Sequence, residues 1–157
     1  MTSGVTNTGK IRILELAFTN EQSDSSPTTA PFYIALATSA ASFDAETSAF
    51  DTSTEIVSGN GYTAGGDEIA GDTSGFYALL IDTASAYGRI QFKDLVWNAD
   101  TGGSIPGSGG GAYYAVLTDT SATLGSREVY AWFDLTSART IQSGGSLTLQ
   151  DIEIRLT

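Results

Sequence analysis

Cysteine and histidine are both absent from this chain, and these absences exclude more chemistry than any motif present supplies. Without cysteine there is no disulfide and no thiolate metal site, so the fold must stand on packing alone. Without either residue the Ser-His and Cys-His nucleophile systems cannot be assembled, and general-base work at neutral pH would fall to a carboxylate. Cations are scarce as well. Two lysines, Lys10 and Lys93, and five scattered arginines face 18 acidic residues, for a net charge of -11. Phosphate neutralisation needs clustered Lys and Arg, so nucleic acid is not expected as a partner. No apolar run reaches the roughly 18 residues that suggest a membrane span. The start, Met1-Thr2-Ser3-Gly4-Val5, lacks the basic stretch and apolar core of a signal peptide, so neither membrane insertion nor secretion is expected.

What is present reads as one domain over residues 1–157. A globule of this size hides roughly two-thirds of the surface its unfolded chain exposes, enough for one core. The acids are dispersed along the chain rather than gathered in a tail, the pattern of a solvated, solubilising surface. Paired carboxylates flanking a cleft would be the one catalytic option left, glycoside hydrolysis, but dispersed charge does not point to a pair and no catalytic residue is assigned. Asp67-Glu68 with Asp72, or Asp119 with nearby carbonyls, offers oxygen ligands of the kind calcium takes. Neither spacing matches an EF-hand, and turn carboxylates ordinarily accept local backbone hydrogen bonds. No metal ligand and no cofactor is assigned.

The pattern along the chain is mainly β. Ile11, Leu14 and Phe18, spaced by three and four behind a polar lead-in, predict one short helix over about 9–18. Residues 19–31 read as a loop, and strands follow over about 31–157. In Phe32-Tyr33-Ile34-Ala35-Leu36-Ala37 alternation puts Phe32, Ile34 and Leu36 on one face. The small, polar stretch from Ser39 to Thr54 reads as a long loop anchored by Phe43 and Phe50. Gly59-Asn60-Gly61, between Glu55-Ile56-Val57-Ser58 and Tyr62-Thr63-Ala64, supplies the positive dihedrals of a tight hairpin. Strands are predicted at Phe76 to Ile81, Gly88 to Trp97, Tyr113 to Thr118, Val129 to Leu135 and Leu147 to Leu156. The last changes apolar phase between Leu149 and Ile152, which predicts a bulge near Gln150-Asp151. Between Thr101 and Gly111 six of eleven residues are glycine, which reads as an exposed connection that a partner would order. Turn signals every ten residues or so predict an antiparallel sandwich or jelly roll. Alternation also sends Tyr130 and Trp132 to the face opposite Val129, Ala131 and Phe133, where an aromatic set outside the core would need a partner to cover it or would serve as a sugar-stacking platform.

The order of these elements resembles that of tailed-phage virion proteins. The resemblance is carried by Pro31-Phe32-Tyr33-Ile34-Ala35-Leu36-Ala37-Thr38-Ser39, then Glu55-Ile56-Val57-Ser58-Gly59-Asn60-Gly61-Tyr62. Later come Ala112-Tyr113-Tyr114-Ala115-Val116-Leu117-Thr118-Asp119 and the ending Gly144-Gly145-Ser146-Leu147-Thr148-Leu149 to Ile154, so that it covers roughly residues 5–157. Many such proteins carry Ala-Arg after the hairpin Gly-Tyr, where this chain has Thr63-Ala64, so no role of that arginine carries over. The resemblance implies a non-enzymatic structural protein on the virion exterior, made in the host cytoplasm. Its implied role is that of a capsid decoration or cement protein that binds the major capsid protein and forms a homo-oligomer, a trimer at threefold positions. A tail, collar or receptor-binding component is the alternative, and a carbohydrate-binding module a further one. Expected contact residues are Ile11, Leu14 and Phe18 in the helix and Gly102, Gly103, Ile105 and Pro106 in the glycine loop, with Gly59, Asn60, Gly61 and Tyr62 forming a structural hairpin.

Overall fold

A computed structural model describes residues 3–6, 9, 32–70, 75–82, 87–119 and 127–156. The helix expected over 9–18, with Ile11, Leu14 and Phe18, lies outside these residues apart from Gly9. The described part is mainly β and antiparallel, with ten strands: β1 (Ser3–Val5), β2 (Phe32–Ala37), β3 (Asp67–Ile69), β4 (Phe76–Asp82), β5 (Tyr87–Phe92), β6 (Leu95–Asn98), β7 (Ala112–Thr118), β8 (Val129–Arg139), β9 (Ser146–Leu149) and β10 (Glu153–Leu156). They form a five-stranded sheet in the order β1-β8-β7-β2-β3, a three-stranded sheet β10-β5-β4 and a two-stranded sheet β6-β9.

Two single runs of the sequence turn out to be two strands each. Gly88 to Trp97 divides into β5 and β6, and the C-terminal run divides into β9 and β10. β5 pairs with β10 while β6 pairs with β9, so the two runs move together from one sheet into another. The phase change after Leu149 is therefore real, but it marks a break between sheets rather than a bulge within one strand. Asp151 sits at φ 54 in that break, and Ile152, although outside both strands, stays in the core. Its carbonyl accepts from the Phe92 N–H at 2.9 Å, which holds the corner together. β3 escapes the sequence pattern because Asp67-Glu68-Ile69 is short and acidic, the kind of edge strand that discourages pairing with other chains.

One hydrophobic core takes residues from all three sheets: Ile34, Leu36, Leu117 and Phe133 from the first, Phe92 and Ile154 from the second, Trp97 and Leu149 from the third. The opposite side of the five-stranded sheet carries a second, smaller cluster of Ala35, Ala37, Val116 and Val129, capped by Phe50 and Ala41 of the long loop. β2 thus alternates large residues inward and alanines outward, and the alanines leave room for the loop to lie flat.

A bulge at the start of β8 corrects the expected faces. Leu117 pairs with Ala131 but Thr118 with Val129, leaving Tyr130 as the extra residue. Val129 is thereby turned to the outer side with Trp132, and Tyr130 packs against the main core, edge-on to Phe32 at 5.8 Å. Trp132 does face outward, yet its ring stacks on Phe43 at 6.2 Å. Phe43 also stacks on Phe50 at 6.3 Å and meets Tyr114 edge-on at 5.3 Å. Both aromatic anchors expected in the long loop are therefore seated, and Phe43 covers part of the half-buried Trp132 ring.

Candidate functional site

Two polar constellations stand out among the described residues, and both grow from the segment Glu55 to Tyr62. The first begins where the long loop returns to β2. A 3-10 turn, Thr52–Thr54, is capped by Asp51, whose carboxylate accepts from Ser53 N–H at 2.9 Å and is held below the usual range by its bonds with Ser53. The turn delivers Glu55 beside Ala37, and Ile56 N–H donates to the Leu36 carbonyl at 2.9 Å. The Glu55 side chain is 4 % exposed and ion-pairs with Arg127, whose own side chain is 1 % exposed. Glu55 Oε1 accepts from Tyr62 Oη and from Gly65 N–H, each at 2.7 Å. Tyr62 Oη in turn accepts from Leu36 N–H at 3.0 Å, standing in for a strand partner in the middle of β2. The Arg127 guanidinium lies 4.5 Å from the Phe50 ring centroid, and Phe50 N–H donates to the Arg127 carbonyl at 2.9 Å. Arg127 Nη1 has no hydrogen-bond partner among the described residues.

This network does the work of a clamp. It ties the long loop, the hairpin, the turn at 63–66 and the entry to β8 onto β2 through one buried carboxylate. Burial and the neighbouring Glu55 charge push the Tyr62 phenol far above its ordinary value of 10.0. Below pH 10 both folded and unfolded chains keep the proton, whereas above it the unfolded chain ionises first, so the stability of the fold falls as pH rises from there. Replacing Tyr62 by Phe leaves Leu36 N–H unsatisfied and should cost about 1–3 kcal/mol at neutral pH. The variant's stability should also fall less steeply above pH 10 than that of the wild type, as urea titrations at a series of alkaline pH values would read. Parallel alkaline slopes would show that Tyr62 does not carry this sensitivity.

The second constellation joins the hairpin to the glycine loop. Gly59 and Tyr62 bond each other in both directions, N–H to carbonyl, at 2.8 and 3.2 Å, and close a two-residue turn with Asn60 at φ 56 and Gly61 at φ 101. That is the tight turn expected from Gly59-Asn60-Gly61, but it is closed by the single bridge between Gly59 and Tyr62, and the flanks 55–58 and 62–64 form no strands. Asn60 Nδ2 donates to the Ser104 carbonyl at 3.0 Å, and its own carbonyl accepts from Asp100 N–H at 2.9 Å. The glycine loop departs from the expectation of a wholly exposed connection. Ile105 is 1 % exposed, exchanges backbone bonds with Ile141 at 2.9 and 2.8 Å, and belongs to the main core. Pro106 is buried too, Gly103 half-buried, and Gly102 and residues 107–110 exposed. Of the four contact residues expected in the loop, Gly102 and Gly103 therefore retain accessible surface, while Ile105 and Pro106 anchor the loop internally.

The remaining sequence candidates are dispersed. Asp67, half-buried on β3, is shifted upward by loss of solvent. Asp72 lies outside the described residues, and Asp119 Oδ1 accepts from Glu128 N–H at 2.9 Å. No group of three or more metal-capable side chains occurs among the described residues. A cleft of about 290 Å3 is lined by Glu68, Ile69, Ala70, Gly75, Lys93, Asp94 and Leu95. Among the described residues that line it there are two carboxylates but no aromatic ring on which a sugar could stack. No described helix is long and apolar enough to cross a membrane. Comparison with protein-family models, with curated proteins and with solved structures finds no match.

The Glu55-Arg127 pair is what sequence reasoning missed. Its partners are separated by 72 positions, and neither flank of Arg127 carries a pattern that announces a buried ion pair. Scarcity was the one available signal, since an acidic chain with five arginines has few cations to place in its interior.

Proposed function

We propose that this chain is a structural module of a tailed-phage virion, a capsid decoration protein that clamps neighbouring capsomers from outside. The observation that carries this reading is the fate of the motif Glu55 to Tyr62. Its two side chains capable of acid-base chemistry, Glu55 and Tyr62, are buried against each other and against Arg127, Gly65 and Leu36. The motif holds loops on a β framework, as a protein that works by contact requires. The net charge of -11 suits an exterior position that needs no affinity for packaged genome and limits self-association before assembly.

The finer architecture belongs to the same proposal. The five-stranded sheet would form one layer of a sandwich and the two smaller sheets the other, a reading supported by the single core to which all three contribute. The major capsid protein would be the partner and a trimer the assembling unit. The exposed parts of the glycine loop, Gly102 and residues 107–110, would lie with the N-terminal segment at the contact. Many copies, each burying on the order of a thousand Å2, would act multivalently against internal pressure.

Particles lacking the protein should release their DNA at lower temperature or under milder osmotic shock, and adding the purified chain back should restore the difference. Equal particle stability with and without it would rule the role out. Quantitative mass analysis of virions separates head from tail, since cementing takes hundreds of copies and a tail or collar part would show only a few to about a dozen. Shortening residues 107–110 without weakening attachment would move the contact elsewhere.

A further inference from the structure

We propose that Asn60 is a deamidation site which the fold both creates and holds shut, with the docked glycine loop as its guard. Of the four asparagines, Asn60 alone is followed by glycine. That dipeptide cyclises most readily, because the bare Cα of glycine leaves the attacking nitrogen unobstructed. The reaction begins when the Gly61 backbone nitrogen attacks Asn60 Cγ. A C–N bond forms, the Cγ–Nδ2 bond breaks, and ammonia leaves with the proton from Gly61 nitrogen. Water then opens the succinimide at either carbonyl, giving aspartate or isoaspartate.

The fold fixes both halves of this labile pair. At position 61 a Cβ would lie 2.0 Å from the Asn98 carbonyl oxygen, so only glycine fits. Position 60 sits at φ 56, where asparagine is among the few residues tolerated without large strain. Its amide is also the peg on which the glycine loop hangs. Nδ2 donates to the Ser104 carbonyl at 3.0 Å, a bond only the amide nitrogen can make. The amide lies against Gly103, where a Cβ would come within 2.2 Å of Asn60 Cγ, and near Gly107, where a Cβ would lie 2.9 Å from Nδ2. Cγ therefore cannot swing toward Gly61 nitrogen until the loop lifts. Once formed, the product loses the donor to Ser104 and sets a carboxylate against that carbonyl, so loop and hairpin would part. The chain thereby carries a chemical record of time spent unfolded or with the loop undocked.

The test incubates the full chain at mildly alkaline pH, folded and in concentrated urea, and follows Asn60 by peptide mapping that separates aspartate from isoaspartate. Conversion at Asn60 should lead in urea, ahead of Asn7, Asn20 and Asn98. In the folded protein it should be slower by about tenfold or more, because reaction waits on local opening. Gly103→Ala should remove most of this protection while the far-ultraviolet spectrum stays native. Should that variant fail to fold, Gly107→Ala, which presses only on the amide tip, should show the same acceleration in smaller measure. Equal rates folded and unfolded, or a folded loop variant as protected as the wild type, would overturn the proposal.

Discussion

Replacing Arg127 by alanine is expected to cost about 3–5 kcal/mol, a large share of the 5–15 kcal/mol by which a domain of this kind is stable. The reason is less the lost attraction than what stays behind. Glu55 would remain as a carboxylate with a side chain 4 % exposed, still accepting from Tyr62 and Gly65 but with no cation to offset the loss of water. Phe50 would lose the guanidinium stacked on it, and the loop it anchors would loosen. Glu55→Gln should be damaging for the mirror reason, since it strands the cation, although the glutamine oxygen can still accept from Tyr62 and Gly65. The double variant Arg127→Ala with Glu55→Gln removes both charges and keeps those two bonds. It should cost clearly less than the sum of the two single changes, and urea unfolding of the four proteins measures the difference. Simple additivity would mean that the two residues do not act as a pair.

The parts of this fold that were legible in the sequence are those governed by local rules. β2, β7 and the presence of β8 follow from alternation, and the tight turn at Gly59 to Tyr62 follows from its residues. The division of each long run into two strands was only half legible. The phase change at Leu149 to Ile152 was visible, but alternation cannot tell a bulge from a change of sheet, because both restore the buried side. Tyr130 fails for a related reason, since one extra residue in β8 reverses every face before it. Nothing local tells which loop will seat on which strand. Asn60 and the glycine loop could each be read as turn chemistry, yet their union spans 44 positions. The Glu55-Arg127 pair is more distant still, and its energetic weight comes from burial, a property of the finished fold.

Gly66→Ala should be the most damaging of the glycine substitutions for its size, and Gly144→Ala is its control. Both residues have positive φ, 83 and 72 respectively, so alanine at either pays a left-handed conformation of about 1–2 kcal/mol. At position 144 nothing lies within 4 Å of a built Cβ, and that strain should be the whole effect. At position 66 the Cβ would fall 2.0 Å from the Ile34 carbonyl oxygen and 2.6 Å from Ala35 Cα. These are backbone atoms of β2, an interior strand of the five-stranded sheet, with Ile34 also paired to Leu117, so the turn must retreat instead. Overpacking of this kind adds about 1–3 kcal/mol. Retreat would also draw Gly65 N–H away from Glu55, weakening the clamp that Arg127 and Tyr62 complete. A total loss of about 3–5 kcal/mol is therefore expected for Gly66→Ala, against 1–2 for Gly144→Ala, in chemical denaturation at neutral pH. Equal losses would mean that the turn at 63–66 is not seated on β2, and the clamp would then have to close without it.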